Sequence, residues 1–351
     1  MRIRFLYVSV LLTALISSGA ASGQSQPPVP KDTVIGKIEY FEDDLSRIIS
    51  PQASIEVIGS GYKWSEGPVW VPAGQYLLFS DVPQNIIYKW DGKKRPEKWL
   101  SPSGYTGSAP QKGEIGSNGL SLDRNGQLII CQSGDRKVAR LRTAAGAGVP
   151  DTPAPEYIFF AENYKGKRFN SPNDLTTNSK NNVYFTDPIY GLPDGENDPT
   201  RELPFEGVYR IGTDGMTTLL LDSIRRPNGI AFSPDEKILY IASSDDKIPR
   251  WYAYDLDKDG KIIRGGLFLD AAPLRDRAMV KQGPDGMKID KWGNLFAAGP
   301  DGINIISPQA RRIALIRIFG RRVSNCAFNE TKEILFITAD DLVLKVTLHP
   351  K

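Results

Sequence analysis

A chain of 351 residues that is 40% hydrophobic carries enough apolar side chains for a sizeable core. Its formal charge of +3 is small for this size and no Lys/Arg cluster stands out, which gives nucleic-acid binding little support. The single histidine, His349 in the C-terminal tail, excludes a Ser-His-Asp triad, a Cys-His pair and an imidazole zinc site.

In chain order, MRIR is a short basic n-region, FLYVSVLLTALI an apolar h-region, and SSGAASG offers small residues for cleavage near Ala21 to Gly23. The apolar run is too short for a comfortable membrane span. Residues 1–23 are therefore expected to be a cleaved signal peptide. Their removal takes away Arg2 and Arg4 and no acid, lowering the charge from +3 to +1. The mature product is expected in the periplasm or outside the cell, with no stable membrane span. Residues 24–53 read as an N-terminal extension, opening with the flexible, Pro-rich QSQPPVPKD.

From there a repeat takes over. Six phrases line up: SEGPVWV (65–71), SNGLSLD (117–123), SPNDLTT (171–177), RPNGIAF (226–232), GPDGMKID (283–290) and SNCAFN (324–329). Their key residues, Glu66, Asn118, Asn173, Asn228, Asp285 and Asn325, are 52, 55, 55, 57 and 40 residues apart. A polar turn and a second apolar run follow each phrase, from QYLLFSD to EILFITA, and several units show third and fourth runs. Four short strands per unit, rich in β-branched and aromatic residues, predict an all-β, six-bladed β-propeller over residues 54–351. A β-sandwich does not explain an equal repeat.

The last unit is one strand short, while SIEVIGS (54–60) has no unit of its own. That strand is predicted to complete the last blade and close the ring, leaving no open sheet edge there. Residues 101–116 and 142–156 read as loop insertions. Cys131 and Cys326 lie in apolar runs 195 residues apart and are expected to be buried free thiols. DLDKDG (255–260) mimics the opening of an EF-hand loop, but its twelfth position is Gly266 rather than Glu, so it is assigned to a hairpin.

In a propeller the first strand of each blade is innermost. The six key residues therefore converge on the axis, gathering one Glu, one Asp and four Asn. Neighbouring carboxylates repel, and desolvated amide oxygens need partners, so a hard divalent cation is expected there. Such oxygen ligands suit Ca²⁺, with Mg²⁺, Mn²⁺ or Zn²⁺ as substitutes. Asn325 departs most from the pattern, because its interval is short and Cys follows it, and it is assigned a structural role.

The phrases SEGPVW, SNGLSLDRNGQLIICQSGDRKVARL, RFNSPNDLTTNSKNNVYFTDPIYGL, RPNGIAFSPDEKILYIASS and GPDGMKIDKWGNLF resemble the gluconolactonase/regucalcin (senescence marker protein-30) family, closest to its bacterial branch. The resemblance runs in order through nearly all of residues 54–348 and implies a calcium-dependent lactonase. It implies metal ligands at Glu66, Asn173, Asn228 and Asp285, with Asp285 as catalytic acid/base and Asn118 facing the same pocket. Mammalian members carry a substrate-binding arginine where Ser171 and Pro172 stand here, which makes Arg168 a candidate substitute.

The chemistry expected is metal-polarised attack of water on a lactone carbonyl, with Asp285 moving the proton. Asp174, Asp187 and Tyr190 are reserve candidates for proton transfer or substrate contact; Asp174 also suits a turn cap and Asp187 a blade turn. Two other readings stand beside this one. The same ring suits an esterase or phosphotriesterase, and an exported propeller that merely binds a ligand would use loop aromatics such as Tyr105, Tyr164 and Tyr190.

Overall fold

The computed structural model describes residues 34–109, 111, 113–143, 148–151 and 155–350. The expected signal peptide and QSQPPVPKD lie outside these residues. Six antiparallel sheets are arranged as a six-bladed propeller. The inner strands of the blades are Ser65–Val71, Ser117–Leu122, Leu175–Thr177, Pro227–Phe232, Met287–Ile289 and Val323–Phe328. Each belongs to one of the six repeated phrases. Successive inner strands pack side by side, and the last returns to the first, which closes the ring.

Alternation within the strands sends side chains to both faces of every blade, so the apolar core divides into six clusters, one between each pair of neighbours. Leu78, Ile87, Leu120 and Ile130 join the first and second blades, for example, and Phe79, Phe336 and Val343 join the sixth to the first. Cys131 and Cys326 are buried in two of these clusters as free thiols.

Ser54–Ser60 pairs antiparallel with Leu342–Thr347 as the outer strand of the sixth blade. Early and late segments of the chain thus share one sheet.

The stretch assigned to the extension is partly built into the ring. Gly36–Tyr40 adds a fifth strand to the fifth blade, running antiparallel to Arg312–Ile318. Ile35, Leu45, Ile48 and Ile49 are buried in the cluster between the fifth and sixth blades. GKIEY is too short and too polar to announce itself as a strand. Its partner is an edge 274 to 282 residues away along the chain, roughly the length of the ring itself.

Arg317 fastens the added strand through its Nε, 2.7 Å from Glu39 Oε1, and it also reaches Asp301. The Arg317 hydrogen bond holds the Glu39 carboxyl at about 2, below its ordinary 4.5. A lowered carboxylate contributes stability that is present above pH 4.5 and lost as the pH falls through the folded value. The protection of residues 36–40 from hydrogen exchange, relative to the intrinsic rate at each pH, is therefore expected to fall between pH 4.5 and 2, ahead of that of the inner strands.

Candidate functional site

Each key residue stands where its inner strand begins, and local backbone geometry turns it inward. The ladder between first and second strands shifts register at Glu66/Val69, Ser117/Leu120, Pro227/Ile230 and Val323/Asn325. An extra residue at a bulge re-aims the side chain beside it. In the third and fifth blades the strand begins only at Leu175 and Met287, just beyond the key residue. The Gly that follows four of the key residues serves inter-blade contact. A Cβ on Gly119 would lie 2.7 Å from the Asn173 oxygen of the next blade, and one on Gly229 would lie 2.3 Å from the Asp285 oxygen.

The ring encloses a cavity of about 160 Å³. Glu66, Asn118, Asn173, Asn228, Asp285 and Tyr190 all line it. So do Glu114, Ser244, Gln282 and Arg322, which the repeat does not mark. Glu66, Asn118, Asn173 and Asn228 are at most 5% exposed.

Both carboxyls at the centre are pushed up. Burial lifts Asp285 well above its ordinary value, and repulsion from Glu66, Glu114 and Asp174 adds to the rise. Burial and then Asp174 raise Glu66, against the pull of the Gly67 N–H, which donates to its Oε2 at 2.5 Å. Two such acids in one small space favour a bound proton or a bound cation.

The amides decide between these. Asn173 Oδ1 and Asn228 Oδ1 are buried with no hydrogen-bond partner among the described residues. Asn228 is held in that orientation, because its Nδ2 donates to Ser244 Oγ at 3.0 Å. Buried acceptors left without donors are costly, and a proton shared by the acids would not satisfy them. A hard cation would, so Glu66, Asn173, Asn228 and Asp285 fit one. Among the described residues no group of three or more His, Cys, Asp or Glu side chains assembles as a metal site. Half of this donor set consists of amides. Asn118 Oδ1 is likewise unpartnered, while Asn118 Nδ2 donates to Glu114 Oε2 at 3.3 Å.

The remaining candidates are placed elsewhere. Asp174 is buried beneath the cavity floor, not in its lining. Asn325 Nδ2 stands 3.4 Å from both Asp174 Oδ2 and Glu66 Oε1, and Lys288 Nζ stands 3.5 Å from Asn325 Oδ1. Asp187 lies outside the lining; its carboxylate accepts the Asn170 and Ser171 N–H groups at 2.8 Å each. It clamps the turn that presents Asn173, and burial raises it to about 7 despite those donors. Arg168 sits on an exposed hairpin, paired with Glu202 Oε1 at 2.6 Å and away from the cavity. A two-residue strand pair (Asn163–Tyr164 with Lys167–Arg168) carries it outward, which spacing along the chain did not reveal.

Residues 64–341 match the family model described as SMP-30/Gluconolactonase/LRE-like region. This chain belongs to that family. It is 39% identical over 350 residues to a gluconolactonase of Zymomonas mobilis, covering 97% of this chain and 94% of that one. A solved gluconolactonase of Xanthomonas campestris superposes with a TM-score of 0.76 at 26% identity, covering 93% of this chain and 98% of that one. A calcium-binding regucalcin of Agrobacterium tumefaciens shares the fold, with a TM-score of 0.62 at 18% identity over 82% of this chain and 90% of that one. All six axial positions of this SMP-30/gluconolactonase member fall inside the matched region.

Proposed function

We propose that this chain is a calcium-dependent lactonase that opens a polyhydroxylated sugar lactone with water. The observation that carries the reading is the pair of unpartnered Asn173 and Asn228 oxygens facing two mutually repelling carboxyls in one polar cavity. The Zymomonas mobilis gluconolactonase, related over nearly the whole chain, supports the choice of lactone. Calcium fits a donor set of carboxylates and amides better than a softer metal does.

Glu66, Asn173, Asn228 and Asp285 would hold the cation. When bound, it supplies electrophilic polarisation of the carbonyl oxygen and stabilises the charge that develops there. Asp285, in its carboxylate form, accepts the proton of the attacking water. Asn118 and Tyr190 meet substrate hydroxyls on the cavity wall, and Ser244 fixes the Asn228 amide. Polar groups such as Glu114, Asn118, Ser244 and Gln282 outnumber the aromatic lining residues Trp64 and Tyr190. That balance favours a polyol over an aryl ester or a lipophilic phosphotriester.

Hydrolysis of D-glucono-1,5-lactone, followed by acid release, is the test. Activity is expected to vanish after EDTA treatment and to return with calcium. Turnover that persists unchanged in the metal-free protein would sink the metal-dependent reading. Bound calcium without turnover would redirect the search to other lactones and esters.

We also read the protein as exported, on the n-region and h-region at its N-terminus. No helix among the described residues is long and apolar enough to cross a membrane. N-terminal sequencing of the protein recovered from the periplasm is expected to begin near Ser22 to Gln24.

A further inference from the structure

We propose that Glu114 is a second catalytic residue, the acid that protonates the departing ring oxygen while Asp285 deprotonates the attacking water. This rests on the hydrolytic reading above and divides its proton transfers between two groups.

Opening a lactone requires two proton movements at two places. A proton must leave the water that attacks the carbonyl carbon, and one must reach the ring oxygen that is expelled. Asp285 is poorly suited to perform both, since a bound cation would favour its carboxylate form and leave it without a proton to deliver to the ring oxygen. A second carboxyl on another wall of the cavity removes the conflict.

Glu114 meets that description. It comes from the 101–116 insertion between the first and second blades, whereas Asp285 comes from the fifth. Both line the same cavity, close enough for the Glu114 charge to raise Asp285. Asn118 Nδ2 donates to Glu114 Oε2 at 3.3 Å, which tethers the carboxyl and leaves Oε1 as the oxygen free to carry a proton. The residue as a whole is half-buried, while its carboxyl group is buried in the cavity. Burial of the carboxyl lifts it to about 7, against an ordinary 4.5, so a neutral acid persists near neutral pH. No Lys or Arg is paired with it among the described residues, and Tyr190, raised by burial, remains a neutral phenol beside it.

The step balances as follows. Water oxygen bonds to the carbonyl carbon and its proton passes to Asp285. The tetrahedral species then breaks its bond to the ring oxygen, which takes the electron pair and receives the Glu114 proton as a new hydroxyl. The open-chain acid leaves, Asp285 sheds its proton to solvent, and Glu114 regains one. Lactone and water become one hydroxy acid with no other reactant.

An acid of this kind matters in proportion to how poor the leaving group is. The experiment compares Glu114→Gln with the unaltered chain, both loaded with calcium, on two lactones. Glucono-1,5-lactone expels an alkoxide, and dihydrocoumarin expels a phenolate that departs without help. The variant is expected to lose ~10²-fold in kcat on the first and under ~3-fold on the second. Thermal unfolding should match the unaltered chain, and both proteins are assayed at calcium concentrations that calorimetric titration shows to be saturating, which separates a folding or cation-binding defect from lost proton transfer. Equal losses on both lactones, or no loss on either, would overturn the acid role. Failure of the unaltered chain to open glucono-1,5-lactone would instead remove the functional reading, and the role of Glu114 with it. If only dihydrocoumarin is refused, a kcat fall at high pH on glucono-1,5-lactone that survives in Glu114→Gln overturns the acid role.

Discussion

Replacing Asp285 by asparagine is expected to lower kcat/KM for a sugar lactone by ~10³-fold or more while the ring stays folded. The substitution keeps the side chain's shape and its oxygen. It removes the proposed base and one of the two carboxylates that fit a cation. A second consequence follows from the same residue and has the opposite sign. In the metal-free protein the folded-state pKa of Asp285 lies well above its ordinary 3.8. A raised acid contributes stability that is complete below the unfolded value and is lost as the pH climbs through the folded one. Asparagine carries no such dependence. The metal-free variant is therefore expected to be more stable than the metal-free parent at pH 8, and closer to it at pH 4. Thermal unfolding with EDTA at the two pH values reads this directly. A variant less stable at both would show that the carboxyl is not under repulsion.

Calcium should reverse that order. On the proposed reading a cation would bind the carboxylate forms of Glu66 and Asp285, so binding would expel the protons that burial retains. In the parent, calcium affinity is expected to fall as the pH drops, and proton release should accompany binding. The enthalpy of titration in buffers of different ionisation heat measures that release.

The propeller was legible because a ring imposes the same demands on every blade. Each unit needs an inner strand that begins beside the axis and a neighbour packed closely against it. The pairs Glu66-Gly67, Asn118-Gly119, Asn228-Gly229 and Asp285-Gly286 answer both demands, one residue turned inward and one without a Cβ. That is why the repeat was visible as phrases and not merely as composition. Asn173-Asp174 breaks the pattern, and the structure shows the consequence. With Asp in the glycine position, a carboxylate is buried below the cavity floor, where Asn325 and Leu175 N–H meet it. Asn325 belongs to this lower layer as well, linked to Glu66, Asp174 and Lys288, which is more than a blade turn requires.

What the repeat did not reveal lies off the repeat. Glu114 enters from a connection between blades and not from a repeated phrase, so no spacing pointed to it. Arg168 had the right charge and proximity in sequence, but a local hairpin turned it outward to Glu202. Asp187 was ambiguous for a different reason. A buried carboxylate that holds two backbone N–H groups and one that faces a cavity look alike in sequence. Only the partners of the carboxylate distinguish them.

Gly67→Ala is expected to destabilise the protein by about 2–4 kcal/mol, chiefly by opening the seam between the first and second blades. Two costs combine at this position. Gly67 has φ of +53°, in the left-handed region where a side chain costs about 1 kcal/mol. A Cβ there would also lie 2.0 Å from the backbone oxygen of Asn118, in the next blade. Backbone on an inner strand cannot rotate away as a side chain does, so the two blades must separate. Gly92 isolates the first cost, since its φ is +82° and nothing stands within 4 Å of a Cβ built on it. Gly92→Ala should therefore cost only about 1 kcal/mol. Denaturant unfolding of the two variants gives the seam contribution as their difference. The separation also shifts Glu66 relative to Asn173, Asn228 and Asp285, the other proposed ligands, so Gly67→Ala should weaken calcium binding even where the protein remains folded, and Gly92→Ala should leave it intact. Equal costs for the two substitutions would mean that the axial glycines serve backbone conformation alone, and that the blades are held at their spacing by the apolar clusters farther out.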